Sequence, residues 1–246
     1  LFGRTDNNKT IYVKVNNFEP YFYVEIDENI IEKKQHIDIL IDYVKEKVRV
    51  KEENGKWLNC GNGLKEYKIE MKHKFRGFMN FKKFKFIKLI FNDLISMKAW
   101  ASFLKKKKKI PSLSKKIIDF KLYESNLDPF LRCMHIKNLE AVGWVKILKK
   151  NINKLSNNES CCDINIETDW INLERVEKRT IQQFVIAAFD IECTSEDGSF
   201  PRANRNGDKI IQIGTTFSKF GETECFYSRI ITLGTCDPIN DTIVVT

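Results

Sequence analysis

Two acidic side chains, Asp190 and Glu192, follow an apolar run at residues 184–189 and are well suited to chemistry. Side chains alternate between the two faces of a β-strand, so we expect both carboxylates on one face and Ile191 on the other. Carboxylates this close repel each other, and burial at the end of a core strand would make each charge costlier. A Mg²⁺ or Mn²⁺ ion would neutralise the pair through the oxygen ligands that it prefers. The spacing alone also fits two acids at a solvated strand end that cap a loop.

Paired metal ions would give these carboxylates a defined reaction. Two ions held about 3.5–4 Å apart activate a water molecule and stabilise the leaving oxygen when a phosphodiester bond is cleaved. The protein then needs carboxylates and a well-placed strand end, but no nucleophile of its own. Asp190 and Glu192 are therefore candidate catalytic residues and candidate metal ligands.

The chain around this pair has the pattern of a sheet built from consecutive strands. Residues 184–191 are almost continuously apolar, which predicts a central strand buried on both faces. A loop rich in Gly, Asn, Ser and Pro at 196–207 leads to a second predicted strand at 209–217, and a third is predicted at 224–232. A charged connector precedes these strands, so we place a domain boundary near residue 180.

Strand and helix signals alternate in the earlier part of the chain. Apolar patterns predict strands at 10–18, 21–26, 67–75, 84–91 and 143–148. Apolar spacing and capping residues predict helices at 30–48, 93–104 and 129–139. Asp93 and Asp128 are the expected N-caps of the second and third helices. Turns are predicted at 54–55 and 61–63, and a loop at 151–160.

Positive charge is concentrated in one segment. The chain has a formal net charge of +9, and residues 65–121 hold 18 lysines and arginines against 4 acidic residues. Clustered positive charge attracts polyanions, so this segment is a candidate nucleic-acid surface. Its candidate DNA-binding residues form an unbroken run, Lys105, Lys106, Lys107, Lys108 and Lys109. Mutual repulsion favours an exposed loop there, and a merely solvated turn in a lysine-rich composition is the alternative.

Other features restrict the class of protein. The 7 cysteines include no CxxC pair, which argues against a disulfide framework or a zinc site and favours a reducing, intracellular compartment. The most apolar stretch, 84–104, is interrupted by charges, so we expect no membrane segment. The chain starts at Leu1 and ends on a strand-like Thr-Ile-Val-Val-Thr, so we expect a fragment of a longer protein.

Three stretches, in the family's order, resemble family B DNA polymerases. Residues 189–193 (FDIEC), with the Gly/Pro loop and 207–214 (GDKIIQIG), are similar to the first exonuclease motif of that family. Residues 21–24 (YFYV) resemble an early strand, and 122–144 resemble the family's stretch YES-N-DP-LR-H followed by GW. The run at 233–239 is most similar to versions carried by large DNA viruses.

This resemblance implies a mixed α/β (α+β) fold. It implies a β-rich N-terminal domain with helices at 1–180, followed at 181–246 by the first strands of an RNase H-like 3′–5′ exonuclease sheet. Asp190 and Glu192 would then bind the two Mg²⁺ or Mn²⁺ ions of a proofreading site. The parent protein would be a DNA-directed DNA polymerase acting in DNA replication on a primer–template and a single-stranded primer 3′ end. A sliding clamp and accessory subunits are further candidate partners, and a viral protein would work in the host nucleus or at a cytoplasmic replication site.

Two further exonuclease motifs and the polymerase aspartates of the family are not in this sequence, so we expect the chain alone to be inactive. A second interpretation is a non-catalytic nucleic-acid-binding module that keeps an RNase H-like frame.

Several other side chains have weaker expected roles. Phe200 is a candidate to stack on the terminal base of a primer, with loop packing as the alternative. Asp208 is expected to cap a turn rather than reach the metal site, and Cys193 is expected to be a small buried residue. Arg132 and His135 lie one helical turn apart, and we expect them to take part in packing or internal hydrogen bonds.

Overall fold

The computed structural model describes residues 1–27, 29–31, 33–74, 79–239 and 242–245. The chain forms two compact units, Leu1–Lys178 and Arg179–Thr246. Strands predominate in both units, and the described helices all lie in the first unit. The predicted mixed α/β class is confirmed. Among the described residues, no helix combines the length and apolarity needed to cross a membrane.

The first unit contains strands β1 to β14 and helices α1 to α3. The strands β1 to β7 span Phe2–Arg4, Thr10–Asn16, Tyr21–Glu25, Arg49–Lys51, Trp57–Asn59, Leu64–His73 and Lys83–Phe91. The strands β8 to β14 span Lys108–Lys109, Ile117–Ile118, Leu122–Tyr123, Trp144–Lys146, Asn153–Lys154, Ile164–Asp169 and Glu174–Val176. The helices α1, α2 and α3 span Lys34–Lys47, Leu94–Leu104 and Pro129–Ile136, and short 3₁₀ helices span Gly61–Gly63, Lys149–Asn151 and Trp170–Asn172.

The core of the first unit lies between a four-stranded sheet and two helices. The strand order is β10-β3-β7-β6, and all three pairings are antiparallel. Phe22 and Val24 alternate along β3 and are fully buried. They share one hydrophobic cluster with Ile87 and Leu89 of β7 and with residues of α1 and α2. The cluster also contains Trp100, whose indole N–H donates to the Cys60 carbonyl at 2.9 Å.

Local sequence signals explain where two helices begin. Asp93 Oδ1 accepts a hydrogen bond from the Ser96 backbone N at 2.7 Å, so α2 has the predicted N-cap. Asp128 Oδ1 accepts from the Phe130 backbone N at 2.7 Å, and Pro129 occupies the first turn of α3, also as predicted. The helix α3 ends at Ile136 rather than near residue 139.

The first helix and the longest strand of this unit are shifted from their predicted ends. The apolar spacing predicts α1 from residue 30, but the helix begins at Lys34, after an N-cap residue that makes no side-chain capping bond. The strand β6, predicted at 67–75, begins at Leu64. Glu32 and Phe75 of these predicted elements lie outside the described residues.

A second sheet joins residues distant in sequence, in the order β1-β2-β13-β12. The strand β13 runs parallel to β2, with Ile164 opposite Ile11 and Asp169 opposite Asn16. No strand was predicted at β13, and its partner β2 lies about 150 residues earlier in the chain. The strand β12 also lies inside the predicted loop at 151–160.

The second unit is a four-stranded sheet in the order β15-β16-β17-β18. Its strands span Val185–Thr194, Lys209–Lys219, Cys225–Thr232 and Ile243–Val245. The first three pair antiparallel in hairpin order, which confirms the predicted succession of strands. The prediction that the first strand is central and buried on both faces is wrong for this structure. The strand β15 lies at the edge of the sheet and all of its residues are exposed, because no described helix of this unit covers either face.

Candidate metal site and its supporting loop

Asp190 and Glu192 occupy alternate positions of β15 and therefore project from one face of that strand. In the antiparallel pairing with β16, Asp190 lies opposite Gly214 and Glu192 lies opposite Gln212. Directly opposed residues point to the same side of a sheet, so these positions form one surface. The register shifts between Glu192 and Cys193, which places an irregularity of the ladder just past the acidic pair.

The environment of the two carboxylates is open and contains no paired cation. Both residues are exposed, and in the described part of the chain neither forms a salt bridge. Asp190 Oδ1 accepts a hydrogen bond from the Ile191 backbone N at 2.9 Å. The expected burial of the pair is wrong here, because an edge strand without a covering layer leaves both charges in water. A metal ion would therefore not have to displace a lysine or arginine.

The donor set fits a hard cation but is incomplete. Carboxylate oxygens are the ligands that Mg²⁺ and Mn²⁺ prefer, and two of them project from the same strand face. The described residues contain no group of three or more His, Cys, Asp or Glu side chains that could hold a metal ion. Water, substrate or other protein segments would have to supply the remaining ligands, because Mg²⁺ demands about six.

A glycine keeps the position beside Asp190 free of a side chain. A Cβ added at Gly214 would meet no atom within 4 Å, so the space across the strand pair from Asp190 is open. Glycine weakens a strand interior, and it often marks a place where a ligand approaches the backbone. Gly214 was not among the predicted site residues, although a glycine inside an apolar strand pattern was a signal for it.

The loop between β15 and β16 is held by Asp208. Its Oδ1 accepts a hydrogen bond from the Glu196 backbone N at 3.1 Å, and its Oδ2 accepts from the Arg202 backbone N at 2.7 Å. The Asp208 side chain is only 3% exposed. The predicted turn-organising role of Asp208 is confirmed.

A second aspartate, Asp197, organises the first half of the same loop. Its Oδ1 accepts hydrogen bonds from Ser195 Oγ, Ser199 N and Ser199 Oγ, at 3.0, 3.0 and 2.6 Å. Arg205 Nη1 lies 2.9 and 2.8 Å from its two oxygens. These interactions, led by the Ser199 hydroxyl, lower the pKa of Asp197 to about 2. The sequence analysis did not predict the roles of Asp197 and Arg205, although Asp-Gly-Ser is a turn signature. Gly198 has the left-handed φ of 74° that such a turn favours.

The predictions for two other residues near the acidic pair, Phe200 and Cys193, compare differently with the structure. Phe200 is 88% exposed, so it does not pack on the loop, and its stacking on a base stays a prediction. Cys193 is exposed, so its expected burial is wrong for the same reason as that of β15. All seven cysteines are free.

The expected loop at 105–109 is correct only in its first part. Lys108 and Lys109 form β8 and pair with β9. Lys108 Nζ lies 3.8 Å from the centroid of the Phe103 ring, and burial lowers the pKa of Lys108. This lysine therefore packs against the unit that carries it.

Arg132 has the internal role that was expected of it. Its side chain is buried, and Nη2 donates to the Glu124 carbonyl at 3.1 Å and to Glu124 Oε2 at 2.8 Å. Nη1 donates to the Tyr21 carbonyl, and the guanidinium lies 3.9 Å from the centroid of the Tyr21 ring. Arg132 thus fastens α3 to β3. His135 is exposed, so it does not pack in the core, and an internal hydrogen bond for it stays a prediction.

Comparison with known proteins places the chain in a family. Residues 120–244 match the family model described as DNA polymerase family B, exonuclease domain. A DNA polymerase of Acanthamoeba polyphaga mimivirus is 35% identical over 242 residues, which are 97% of this chain and 14% of that protein. A DNA polymerase of Pyramimonas orientalis virus is 31% identical over 82% of this chain and 16% of its own length. The DNA polymerase delta catalytic subunit of Drosophila melanogaster is 29% identical over 97% of this chain and 22% of its own length.

A solved structure shows the same fold. The family B DNA polymerase from the archaeon Pyrobaculum calidifontis superposes with a TM-score of 0.57 over 98% of this chain and 25% of that one, at 15% identity. The chain therefore spans a quarter or less of each of these relatives. The family model matches about half of the residues: the last third of the first unit and nearly all of the second unit, including Asp190, Glu192 and the loop that follows them. On this match, the chain belongs to DNA polymerase family B and contains part of its exonuclease domain.

Proposed function

We propose that this chain is the amino-terminal part of a DNA-directed DNA polymerase that acts in DNA replication, together with the start of its proofreading 3′–5′ exonuclease. Family membership and the names of the relatives support this class of protein. In this proposal residues 1–180 form the N-terminal domain of the polymerase, and residues 181–246 begin the exonuclease domain.

The placement of Asp190 and Glu192 is the observation that carries the nuclease part of the proposal. The pair projects from one face of β15, exposed and without a salt bridge in the described residues, inside the range that matches an exonuclease family model. A structural role would pair or cap these carboxylates, whereas a metal-binding role needs them unpaired and close together.

Asp190 and Glu192 are the residues of this chain that would hold the metal. Two Mg²⁺ or Mn²⁺ ions in the complete site would supply an activated water and charge stabilisation for phosphodiester hydrolysis. The strand fixes the spacing of the carboxylates, and Asp197 and Asp208 hold the loop that follows them. Gly214 leaves room beside Asp190 for the scissile phosphate.

The 246-residue chain by itself is inactive in this proposal, both as an exonuclease and as a polymerase. Its two unpaired carboxylates are fewer than the ligands that two metal ions require. Other segments of the full-length protein add ligands and cover the sheet of the second unit. Exposed apolar side chains on that sheet support this, because large apolar patches on soluble proteins mark interaction surfaces. They include Val185, Ile186, Phe189, Ile210, Phe226 and Ile231.

The substrate in this proposal is the single-stranded 3′ end of a primer on a DNA template. Phe200 would stack on the terminal base, and its exposure supports this role because exposed aromatic side chains bind single strands in this way. A sliding clamp or accessory subunits would bind elsewhere on the full-length protein. Replication inside the cell is the setting, in the host nucleus or at a cytoplasmic site if the protein is viral, as several relatives are.

Single-site variants of the full-length protein that carries this chain test the proposal. The rate at which a 5′-labelled single-stranded DNA is shortened in Mg²⁺ should fall at least about 100-fold in Asp190→Ala and in Glu192→Ala. Loss of a residue that only supports a metal ligand costs at most about 100-fold. Glu224→Ala removes an exposed acid of the same unit and should leave the rate unchanged.

The contrary outcomes are distinct. Undiminished shortening in both variants would exclude these residues as metal ligands. A wild-type protein that binds DNA but does not shorten it would favour the non-catalytic module. Metal-dependent shortening by the 246-residue chain alone, lost in Asp190→Ala, would contradict the incomplete site.

A further inference from the structure

The basic segment 65–121 contains two groups of lysines in different surroundings. On β6, directly after it and on β7, lysines contact the carboxylates of Glu19, Glu25, Glu66 or Glu70. They are Lys65, Lys68, Lys72, Lys74 and Lys88. The four carboxylates largely compensate the charge of these five lysines, which therefore offer little net attraction for a polyanion.

A second group surrounds the β8–β9 hairpin and lacks such partners. We call its exposed members the hairpin lysines: Lys105, Lys106, Lys107, Lys109, Lys115 and Lys116. None of them forms a salt bridge with a residue that the structure describes. Asp119 is the only acidic residue between positions 105 and 121. The positive charge of this hairpin is therefore uncompensated.

The hairpin is held in place by the core of the first unit. Three residues around the hairpin are buried in the hydrophobic cluster of the first unit. They are Leu104 at the end of α2, Ile110 directly after β8 and Ile118 within β9. The backbone N atoms of Leu113 and Ser114 both donate to the Ile110 carbonyl at 2.9 Å, which closes the turn. The ammonium groups are thus carried by a fixed backbone, which lowers the entropy that binding would cost.

Lys108 differs from its neighbours in the run. Its Nζ lies over the Phe103 ring, and burial followed by repulsion from Lys106 lowers the pKa of Lys108. This residue is part of the packing that anchors the hairpin and is not available to a ligand in the way that Lys107 and Lys109 are. Lys108 is therefore not included in the surface proposed below.

We propose that the hairpin lysines form a phosphate-binding surface that contacts the backbone of DNA without reading its sequence and without a metal ion. Lysine binds phosphate as a point charge, and such contacts carry no base information. No aromatic side chain is exposed between residues 105 and 121, so base stacking has no part in this surface. The choice of DNA as the polyanion rests on the proposed function, whereas the surface itself rests on unpaired charge.

Binding of the 246-residue chain to a fluorescent 30-nucleotide single strand, measured by anisotropy in EDTA over a range of salt concentrations, tests this surface. The variant K105Q/K106Q/K107Q/K109Q removes four unpaired charges. The control K14Q/K47Q/K65Q/K68Q removes the same charge from four exposed ion pairs. The salt dependence, log K against log[salt], should become shallower by about 0.7 for each phosphate that a lysine no longer neutralises, or roughly 3 in all for the hairpin variant. Its affinity at low salt should fall on the order of 10- to 100-fold, while the control changes less than about threefold.

Two further variants sharpen the result. Replacing the same four hairpin lysines by arginine should restore binding, and Lys108→Gln alone should leave the salt dependence unchanged. An unchanged melting temperature shows that the hairpin variant is folded. Because the assay contains no free metal, Asp190→Ala should bind DNA like the wild type. The surface proposal and the exonuclease proposal can therefore fail independently of each other.

Three outcomes would overturn the proposal. Equal losses in the hairpin and control variants would show an effect of total charge alone. An unchanged salt dependence in the hairpin variant would exclude these lysines as phosphate-binding groups. If the hairpin variant lost binding to vesicles that contain phosphatidylserine but bound DNA like the wild type, the surface would be assigned to anionic lipid instead.

Discussion

The strands β3 and β15 both contain apolar runs, yet their surroundings are opposite. In β3, Phe22 and Val24 are completely buried between the main sheet and the helices α1 and α2. In β15 every residue is exposed, and Phe189 is 70% exposed. An apolar run therefore specifies a strand and its two faces, whereas burial depends on the layers that the remainder of the fold supplies.

The contrast also separates stability from function. The first unit has a contiguous core, whereas the second has an open sheet whose acidic pair and glycine lie on one surface. A change in the core of the first unit should therefore alter folding, and a change on the sheet of the second should alter chemistry.

The largest expected effect is on the stability of the first unit. Trp100 is fully buried, and Trp100→Ala leaves a cavity and removes the indole hydrogen bond to the Cys60 carbonyl, so it should cost about 3–5 kcal/mol of unfolding free energy. Phe189→Ala in the exposed strand should change the unfolding free energy by no more than about 0.5 kcal/mol. Urea denaturation of the 246-residue chain measures both, with Trp100→Phe as the milder control. A cost of several kcal/mol for Phe189→Ala would mean that β15 is covered in solution.

A smaller effect is expected at Gly214, on chemistry rather than on folding. Gly214→Val adds a strand-favouring side chain in open space, so the melting temperature should be unchanged or higher. The new side chain fills the space opposite Asp190, and exonuclease activity of the full-length protein should fall about 10- to 100-fold through misplacement of the substrate. Gly3→Ala in β1, where an added Cβ would make only ordinary contact with Ile11 at 3.9 Å, controls for loss of a strand glycine. Full activity in Gly214→Val would show that substrate does not approach on this face.

The smallest expected effect concerns the loop after the acidic pair. Hydrogen bonds lower the pKa of Asp197 from 3.8 to about 2, so their contribution to loop order is complete above about pH 4. That contribution is lost as the pH falls through about 2, because the carboxylate is then protonated. The Ser199 amide signal in an NMR titration should follow a midpoint near 2 and should lose this step in Asp197→Asn. A midpoint near 4 would show that the loop does not hold the carboxylate.

Local chemistry was the part of the fold that could be predicted from the sequence. Asp93 and Asp128 cap helices as predicted because a cap depends on a few neighbouring residues. The strand β13 was missed because its partner β2 lies about 150 residues earlier, and no local pattern encodes such a pairing. The exposure of Cys193 could not be predicted either, because it depends on whether a layer covers the edge of the sheet.

The candidate site was predictable to a similar extent. The types and spacing of Asp190 and Glu192 made the pair a candidate, and the resemblance of the surrounding residues to an exonuclease motif singled it out. The strand places both residues on one face. The open space at Gly214 and the hydrogen bonds of Asp197 appear only once β15, β16 and the intervening loop are assembled. Within the lysine run at 105–109, side chains alternate along β8, so Lys108 packs on Phe103 while Lys109 is exposed.

Metal binding by the 246-residue chain tests the central claim most directly, because it does not depend on the remainder of the protein. A Mn²⁺ titration followed by electron paramagnetic resonance should show weak binding in the wild type and none at this site in Asp190→Asn/Glu192→Gln. Glu224→Gln, which removes one exposed acid of the same unit, should bind like the wild type. Equal Mn²⁺ binding by the wild type and the double variant would contradict the assignment of Asp190 and Glu192 as metal ligands.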